Sequence, residues 1–241
     1  MNLYKYASPT TFYPLAGKMI PWFAIPAAIL FAAGLYVGFF VAPTDFQQGD
    51  AYRIIFIHVP AAWMGMFLYV LMAIYAGIGW AFNARLSSMM ASAIAVTGAM
   101  FTLLSLVTGA FWGKPTWGTW WVWDARMTST LILLFLYAGF ISLQAAIEDP
   151  RRADRAGAVL ALVGVINVPI IYFSVQWWNT LHQGATIRIL GKPTIAGPML
   201  AAMLIMLFAC WLYSVAVVLI RLRCIILERE QNASRFAEVN A

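Results

Sequence analysis

The residues of this chain best suited to chemistry are two histidines and one tryptophan-rich segment. His58 and His182 are the only histidines among its 241 residues. Residues 117–124 read WGTWWVWD, so four tryptophans fall within seven residues and an aspartate follows. A neutral imidazole is a common metal ligand, and two imidazoles can hold one haem iron from opposite faces. Beside a broad aromatic surface, they indicate a haem site. The alternative for each histidine is a polar residue bonded to a backbone carbonyl or a lipid headgroup.

The tryptophan-rich segment is denser than an ordinary membrane belt. Tryptophan is enriched at both surfaces of a bilayer, which explains the isolated indoles elsewhere in the chain. A belt needs only one or two indoles at each helix end, and it does not explain the acid, Asp124. A loop that packs Trp117, Trp121 and Trp123 against a flat ligand explains the whole pattern. Gly118 would let the backbone turn close to that ligand.

Basic residues near these positions are candidates to bind the two propionates of a haem, because arginine pairs well with carboxylates. The candidates are Arg53, Lys114, Arg126 and Arg188. Arg53 lies five residues before His58 and can face the same edge of the ligand. Arg126 is either a propionate partner or the salt-bridge partner of Asp124, and Asp124 orients either an arginine or an indole N–H. Solvation among the headgroups is the alternative for each cation.

The composition indicates a membrane protein. The chain is 63% hydrophobic and 10% charged, whereas a soluble domain is about a quarter charged. No hydrophilic stretch is long enough for a separate domain, so we expect one membrane domain over residues 1–241, without a cleavable signal peptide. No P-loop and no C-x-x-C-H motif occur. The net charge of +6 reflects membrane topology, and we do not expect nucleic-acid binding.

Six apolar segments are long enough to cross a bilayer as helices. They predict an all-α, polytopic bundle with spans at about 19–43, 59–82, 88–111, 127–147, 157–178 and 195–220. Asn167 and Pro169 are expected to interrupt the fifth span. With the N-terminus inside, ten basic residues fall on the inner side and five on the outer side. Both termini are then cytoplasmic, and both histidines and the tryptophan-rich loop 112–126 lie on the outer side.

The tryptophan-rich segment also carries a family resemblance. The pattern W-G-x-x-W-x-W-D, matched by Trp117, Gly118, Trp121, Trp123 and Asp124, is similar to the signature of the haem-handling protein family. Six spans and two outer histidines over this length resemble its CcmC group most closely. The longer CcmF members and the CcsA-type cytochrome c synthases carry additional segments. The resemblance extends over essentially the whole chain.

The resemblance implies a role in the system I maturation of c-type cytochromes in the bacterial inner membrane. It implies that haem b is held at the periplasmic face, with His58 and His182 as axial ligands and the tryptophan loop against the macrocycle. The implied partners are the periplasmic haem chaperone CcmE, the ABC transporter subunits CcmA and CcmB, the small protein CcmD and the lipid bilayer. A haem delivery protein of this kind is not an enzyme.

Three other classes compete with this interpretation. A transport permease usually carries ionisable residues or broken helices at mid-membrane, and here only residues 167–169 suggest a break. A membrane oxidoreductase with internal haem would require paired histidines within its spans. A purely structural subunit leaves the tryptophan-rich segment and its aspartate unexplained.

Overall fold

The protein is a bundle of long helices. A computed structural model describes residues 7–178, 180–182 and 195–239, and the described part contains no β-strand beyond one isolated bridge. Its helices are α1 (Pro9–Tyr36, extended by a π-helical turn, Val37–Val41), α2 (Ile55–Phe82, preceded by a 3₁₀ turn, Asp50–Ile54), α3 (Arg85–Trp117), α4 (Ala125–Ala146), α5 (Pro150–Gly164), α6 (Asn167–Trp177) and α7 (Gly197–Val239). They form six segments long and apolar enough to cross a membrane, which confirms the all-α, six-span prediction.

Several helices are longer than the apolar segments predicted. α1 begins at Pro9, where Ser8 accepts a hydrogen bond from the Thr11 N–H and proline occupies the first helical position. The correction that bears on the site concerns the loop expected at 112–126, because α3 continues through its first six residues to Trp117. Hydropathy marks where a helix leaves the apolar layer, whereas the helix itself ends where the backbone turns. That turn occurs at Gly118, in the left-handed region with φ 78°.

The fifth span is broken in two, as the sequence predicted. α5 ends at Gly164 and α6 begins at Asn167. Pro169 has no N–H to donate to the Val165 carbonyl, which instead accepts from the Val168 N–H at 3.0 Å. The Asn167 side chain donates to the Ser129 carbonyl of α4 at 2.8 Å, so the amide group of Asn167 has a hydrogen-bond partner at the break.

The helices pack in pairs along the chain and between distant segments. α2 packs mainly on α3, α1 on α7, and α4 on both α3 and α5. Tyr69 and Tyr137 are fully buried between these helices, and the Tyr137 hydroxyl donates to the Gly65 carbonyl at 2.9 Å. A Cβ at Gly98 would collide with that hydroxyl, so α3 and α4 approach closely only because position 98 has no side chain.

The two ends of the bundle differ in chemistry. At one end, the start of α2 and the end of α3 meet the start of α4 and the residues after α6; we call this the histidine end. At the opposite end, Arg229 of α7 makes a paired salt bridge with Asp154 of α5, both contacts being 2.8 Å. Arg85 of α3 also contacts Glu230 at 2.9 Å. These ion pairs connect α7 to α5 and to α3.

Candidate functional site

His58 lies in the first turn of α2, because the 3₁₀ turn before it lets the helix start earlier than expected. Its Nδ1 atom is 3.1 Å from the Thr108 hydroxyl on α3. That hydroxyl donates its one proton to the Leu104 carbonyl, 2.6 Å away. The imidazole Nδ1–H is therefore the donor to Thr108, and Nε2 keeps its lone pair. This tautomer of a neutral imidazole is able to bind a metal through Nε2.

His182 lies beyond the end of α6, and its Nδ1 is 2.9 Å from Oδ2 of Asp124. The Asp124 side chain is only 6% exposed, and its other contacts satisfy it well. Oδ1 accepts from the Met127 N–H at 2.7 Å and so caps α4, and Oδ2 also accepts from the Thr180 hydroxyl. Because a carboxylate only accepts, the His182 Nδ1–H donates and Nε2 is again free.

The charges around Asp124 favour this arrangement. Burial raises the pKa of Asp124, but the hydrogen bonds that it accepts prevail and hold the pKa below its ordinary value. Burial lowers the pKa of His182, and Arg126 nearby lowers it further; the hydrogen bond to Asp124 opposes both, and the net pKa is below its ordinary value. At neutral pH the pair is therefore a carboxylate and a neutral imidazole, as metal binding requires.

Both histidines line one cavity between α2, α3, α4 and α6. Its other walls include Gly65, Thr102, Arg126 and Thr130. The cavity has a volume of about 40 Å³, which accommodates about one water molecule. A porphyrin is far larger, so a haem would bind here only after the histidine end opens. The donors suit an iron centre, because two free imidazole nitrogens border the same space.

Arg126 is the candidate cation that the fold brings to this cavity. It lies in the first turn of α4 and is partly buried, and among the described residues its guanidinium makes no hydrogen bond and no ion pair. The sequence left Asp124 as its possible partner, but the Asp124 oxygens are taken by Met127, Thr180 and His182. Asp124 still interacts with Arg126 electrostatically, but no carboxylate among the described residues contacts the partly buried guanidinium directly, which leaves its donors open to an anionic group.

The other candidate cations have different surroundings. Arg53 is not among the residues that line the cavity; it donates to the carbonyls of Gly38 at 2.7 Å and Ala42 at 3.0 Å and contacts Asp50 at 2.9 Å. It thus closes the end of the first span, where backbone carbonyls lack helical partners. Lys114 donates to the Gly118 carbonyl at 3.1 Å. Arg188 lies outside the described residues.

Apart from Asp124, the tryptophan motif contacts a histidine of the site through its first residue, Trp117. The Trp117 ring lies 4.9 Å from the His182 ring, edge to face, at the end of α3. Trp121 and Trp123 lie 5.4 Å apart with their planes at 75°, so the motif is not one flat surface in this conformation. The Trp121 Nε1 donor is buried and has no acceptor among the described residues, whereas Trp123 is 75% exposed. Trp121 therefore has an unused hydrogen bond near the site.

Three polar residues of the site escaped sequence analysis. Thr108 and Thr180 orient the two histidines, and Gln48 accepts from the indole N–H of Trp112 at 2.8 Å. The Trp112 ring in turn lies 5.6 Å from the His58 ring, edge to face. Thr180 was within reach of a local argument, since it lies two residues before His182. Thr108 contacts His58 on a neighbouring helix, and Gln48 contacts Trp112 from the loop before α2. Nothing in the local sequence around either residue predicts these contacts.

The fold and this site define a polytopic helical membrane protein with a paired-histidine cavity at one end of its bundle. The family model described as heme exporter protein C, CcmC, matches residues 2–237. The chain therefore belongs to the CcmC family, which confirms the resemblance noted in its motif.

Individual relatives agree with this assignment. The chain is 45% identical over 238 residues to heme exporter protein C of Escherichia coli (strain K12), covering 99% of this chain and 96% of that protein. It is 38% identical over 224 residues to the protein of the same name in Paracoccus denitrificans, covering 92% of each. A putative cytochrome c biosynthesis ccmC-like mitochondrial protein of Marchantia polymorpha is 49% identical over 162 residues, covering 67% of this chain and 68% of that protein.

Family membership and the six apolar helices establish the class. The protein is a multi-pass inner-membrane protein of a haem-handling transport family, and that family is not one of enzymes. Family membership thus favours haem transport in the biogenesis of c-type cytochromes over an oxidoreductase or a purely structural subunit.

Proposed function

We propose that this protein binds haem b at the periplasmic face of the membrane, with His58 and His182 as axial ligands to the iron. The observation that carries the proposal is that both imidazoles line one cavity with Nδ1 occupied and Nε2 free. Hydrogen bonds to the outer ring nitrogen are the usual support of a metal-binding histidine, because they set its tautomer and its direction.

The surrounding side chains suit the rest of the haem. Arg126 offers an unpaired guanidinium to a propionate at the wall of the cavity. Trp117 and Trp121 offer apolar surface, and Trp121 adds an unused N–H donor. Gly118 and Asp124 hold the ends of the connecting segment, and Trp123 is exposed where an incoming partner would contact it. Arg53 supports the site indirectly, since it closes the first span.

The orientation of the bundle follows from its charges. The connections at the end opposite the histidines contain Arg85, Arg151, Arg152, Arg155 and the basic residues that follow the last span. Short loops rich in Arg and Lys stay in the cytoplasm. We therefore place both termini in the cytoplasm and the haem site on the periplasmic side, in a single membrane domain.

We further propose that haem passes from this site to the periplasmic chaperone CcmE. The relatives are named exporters, and an exporter needs a source of energy, yet this chain has no P-loop. ATP hydrolysis is accordingly assigned to the ABC transporter formed by CcmA and CcmB, with CcmD as an additional subunit.

The visible spectrum of the purified, haem-loaded protein tests the ligands. The oxidised protein should show a low-spin bis-imidazole spectrum, and His58→Ala or His182→Ala should abolish it. Ser92→Ala, on α3 towards the opposite end, is the control and should leave it unchanged. If both histidine variants retain the spectrum of the unchanged protein, the ligand assignment is wrong.

Transfer is tested separately with purified CcmE. Haem bound covalently to the chaperone is counted after incubation with loaded protein in membranes that also contain CcmA, CcmB and CcmD. We expect transfer to depend on both histidines and on ATP. Transfer at the normal rate without this chain would exclude it as the donor.

A further inference from the structure

The two histidines differ in the group that orients them. The His182 Nδ1–H donates to Asp124, a carboxylate, at 2.9 Å. The His58 Nδ1–H donates to Thr108, a neutral hydroxyl, at 3.1 Å, and the Ser105 carbonyl, which is also neutral, is a further acceptor for this ring. Both rings therefore offer the same atom, Nε2, but they have acceptors of different charge.

That difference changes the strength of each imidazole as a ligand. A hydrogen bond to a carboxylate is charge-assisted and draws the Nδ1 proton away from the ring. The ring gains electron density, and Nε2 becomes the stronger donor to a metal. A hydroxyl has no net charge and polarises the ring much less. His182 is consequently the stronger donor and His58 the weaker one.

The surroundings of the two rings also differ. His58 packs tightly between α2 and α3, and its Cε1 would lie only 3.0 Å from a Cβ built at Gly109. His182 follows α6 at the rim of the bundle, and its side chain is 18% exposed. His58 is therefore fixed by two packed helices, whereas His182 is held by the segment that follows α6.

We propose that the two axial ligands are unequal: His182, held by Asp124 and Thr180, stays on the iron, and His58 is the ligand that is exchanged when haem leaves. This inference rests on the proposed function, since it presumes that both histidines bind one iron. Asp124 and Thr108 act through the histidines and are thus positioning residues.

Carbon monoxide provides the test, because it replaces the weaker imidazole of dithionite-reduced haem and reports on the imidazole that remains opposite. A weaker opposite donor raises the C–O stretching frequency. The frequency is measured by infrared spectroscopy on the purified, haem-loaded protein and on three variants. Asp124→Asn should raise it, because the one oxygen of the amide can retain the cap of α4 while its NH2 group, which cannot accept a hydrogen bond, faces the His182 Nδ1–H. Thr108→Val should leave it unchanged, because His58 has been displaced.

Thr180→Val is the third variant and predicts the opposite shift. Thr180 donates to the same oxygen as His182, so its removal leaves a more basic carboxylate. The C–O frequency should then fall. A merely structural role for these residues would not give shifts of opposite sign, and this variant serves as the test if Asp124→Asn does not insert.

The outcomes separate the two proposals. If the unmodified oxidised protein has no bis-imidazole spectrum, the proposed function fails and the inference fails with it. If that spectrum is present but the C–O frequency responds to Thr108→Val, or to neither Asp124→Asn nor Thr180→Val, unequal ligation is wrong and bis-histidine binding stands.

Discussion

Arg229 and Arg126 lie at opposite ends of the bundle. Both are partly buried, but they differ in whether an acidic side chain contacts them. Arg229 is 19% exposed and makes a paired salt bridge with Asp154, which is 15% exposed. Arg126 is also partly buried, but no acid among the described residues pairs with it. Removing one partner of a paired charge destabilises the fold, whereas a charge without a contacting partner has a desolvation cost that a bound anion can offset. The comparison distinguishes a structural arginine from one that we propose binds a haem propionate.

Replacing Arg126 should give the largest effect. Arg126→Gln should weaken haem retention roughly ten- to a hundredfold, since hydrogen bonds to charged groups contribute about 1.5–3 kcal/mol. Its unfolding temperature without haem should stay the same or rise, because a buried unpaired charge is removed. Haem titration and thermal unfolding in detergent measure the two quantities. Normal haem affinity with a lowered unfolding temperature would reverse the interpretation of this residue.

Replacing Arg229 should show the converse pattern. Arg229→Gln leaves Asp154 buried without its partner, and the free energy of unfolding should fall by about 1–3 kcal/mol, less than for a fully buried pair because both groups retain some water. Haem affinity of the folded protein should be unchanged. In the double variant that combines Arg229→Gln with Asp154→Asn, the free energy of unfolding should fall by less than the sum of the decreases in the two single variants. Additive losses would show that the two groups do not interact.

The indole N–H of Trp121 should make a smaller contribution. Trp121→Phe retains most of the apolar surface and removes a buried donor that has no acceptor in the described structure. Haem affinity should fall several-fold, and stability without haem should not decrease. Trp120→Phe is the matched control, since that ring is 51% exposed. Equal effects of the two variants would mean that the N–H of Trp121 has no specific role.

The exposed ion pair between Arg85 and Glu230, at the end opposite the histidines, should have the smallest effect on stability. Arg85 and Glu230 contact at 2.9 Å, but their side chains are 56% and 35% exposed. Arg85→Gln should change the free energy of unfolding by less than about 0.5 kcal/mol, because water screens such pairs. Chemical unfolding with and without added salt measures this change. A loss as large as that of Arg229→Gln would remove the distinction between buried and exposed pairs.

Prediction from sequence succeeded where one segment carries the whole signal. The six spans, the break near Pro169 and the turn at Gly118 each follow from local composition, and each is present. The helix ends were less predictable, because α3 extends past its apolar segment to Trp117. The partner of Asp124 was also missed: the sequence suggested Arg126 or an indole, and the structure shows His182.

The sequence by itself determined the six helices that are long and apolar enough to cross a membrane, and it supplied the few residues that we propose for haem binding. The reason is that the cost of burying charge in lipid is large and depends on each segment alone. Only the tertiary structure decided that Thr108 orients His58, that Asp124 orients His182 and that Arg126 rather than Arg53 reaches the cavity. Such contacts depend on the rotation and spacing of packed helices, which residues distant in sequence set together.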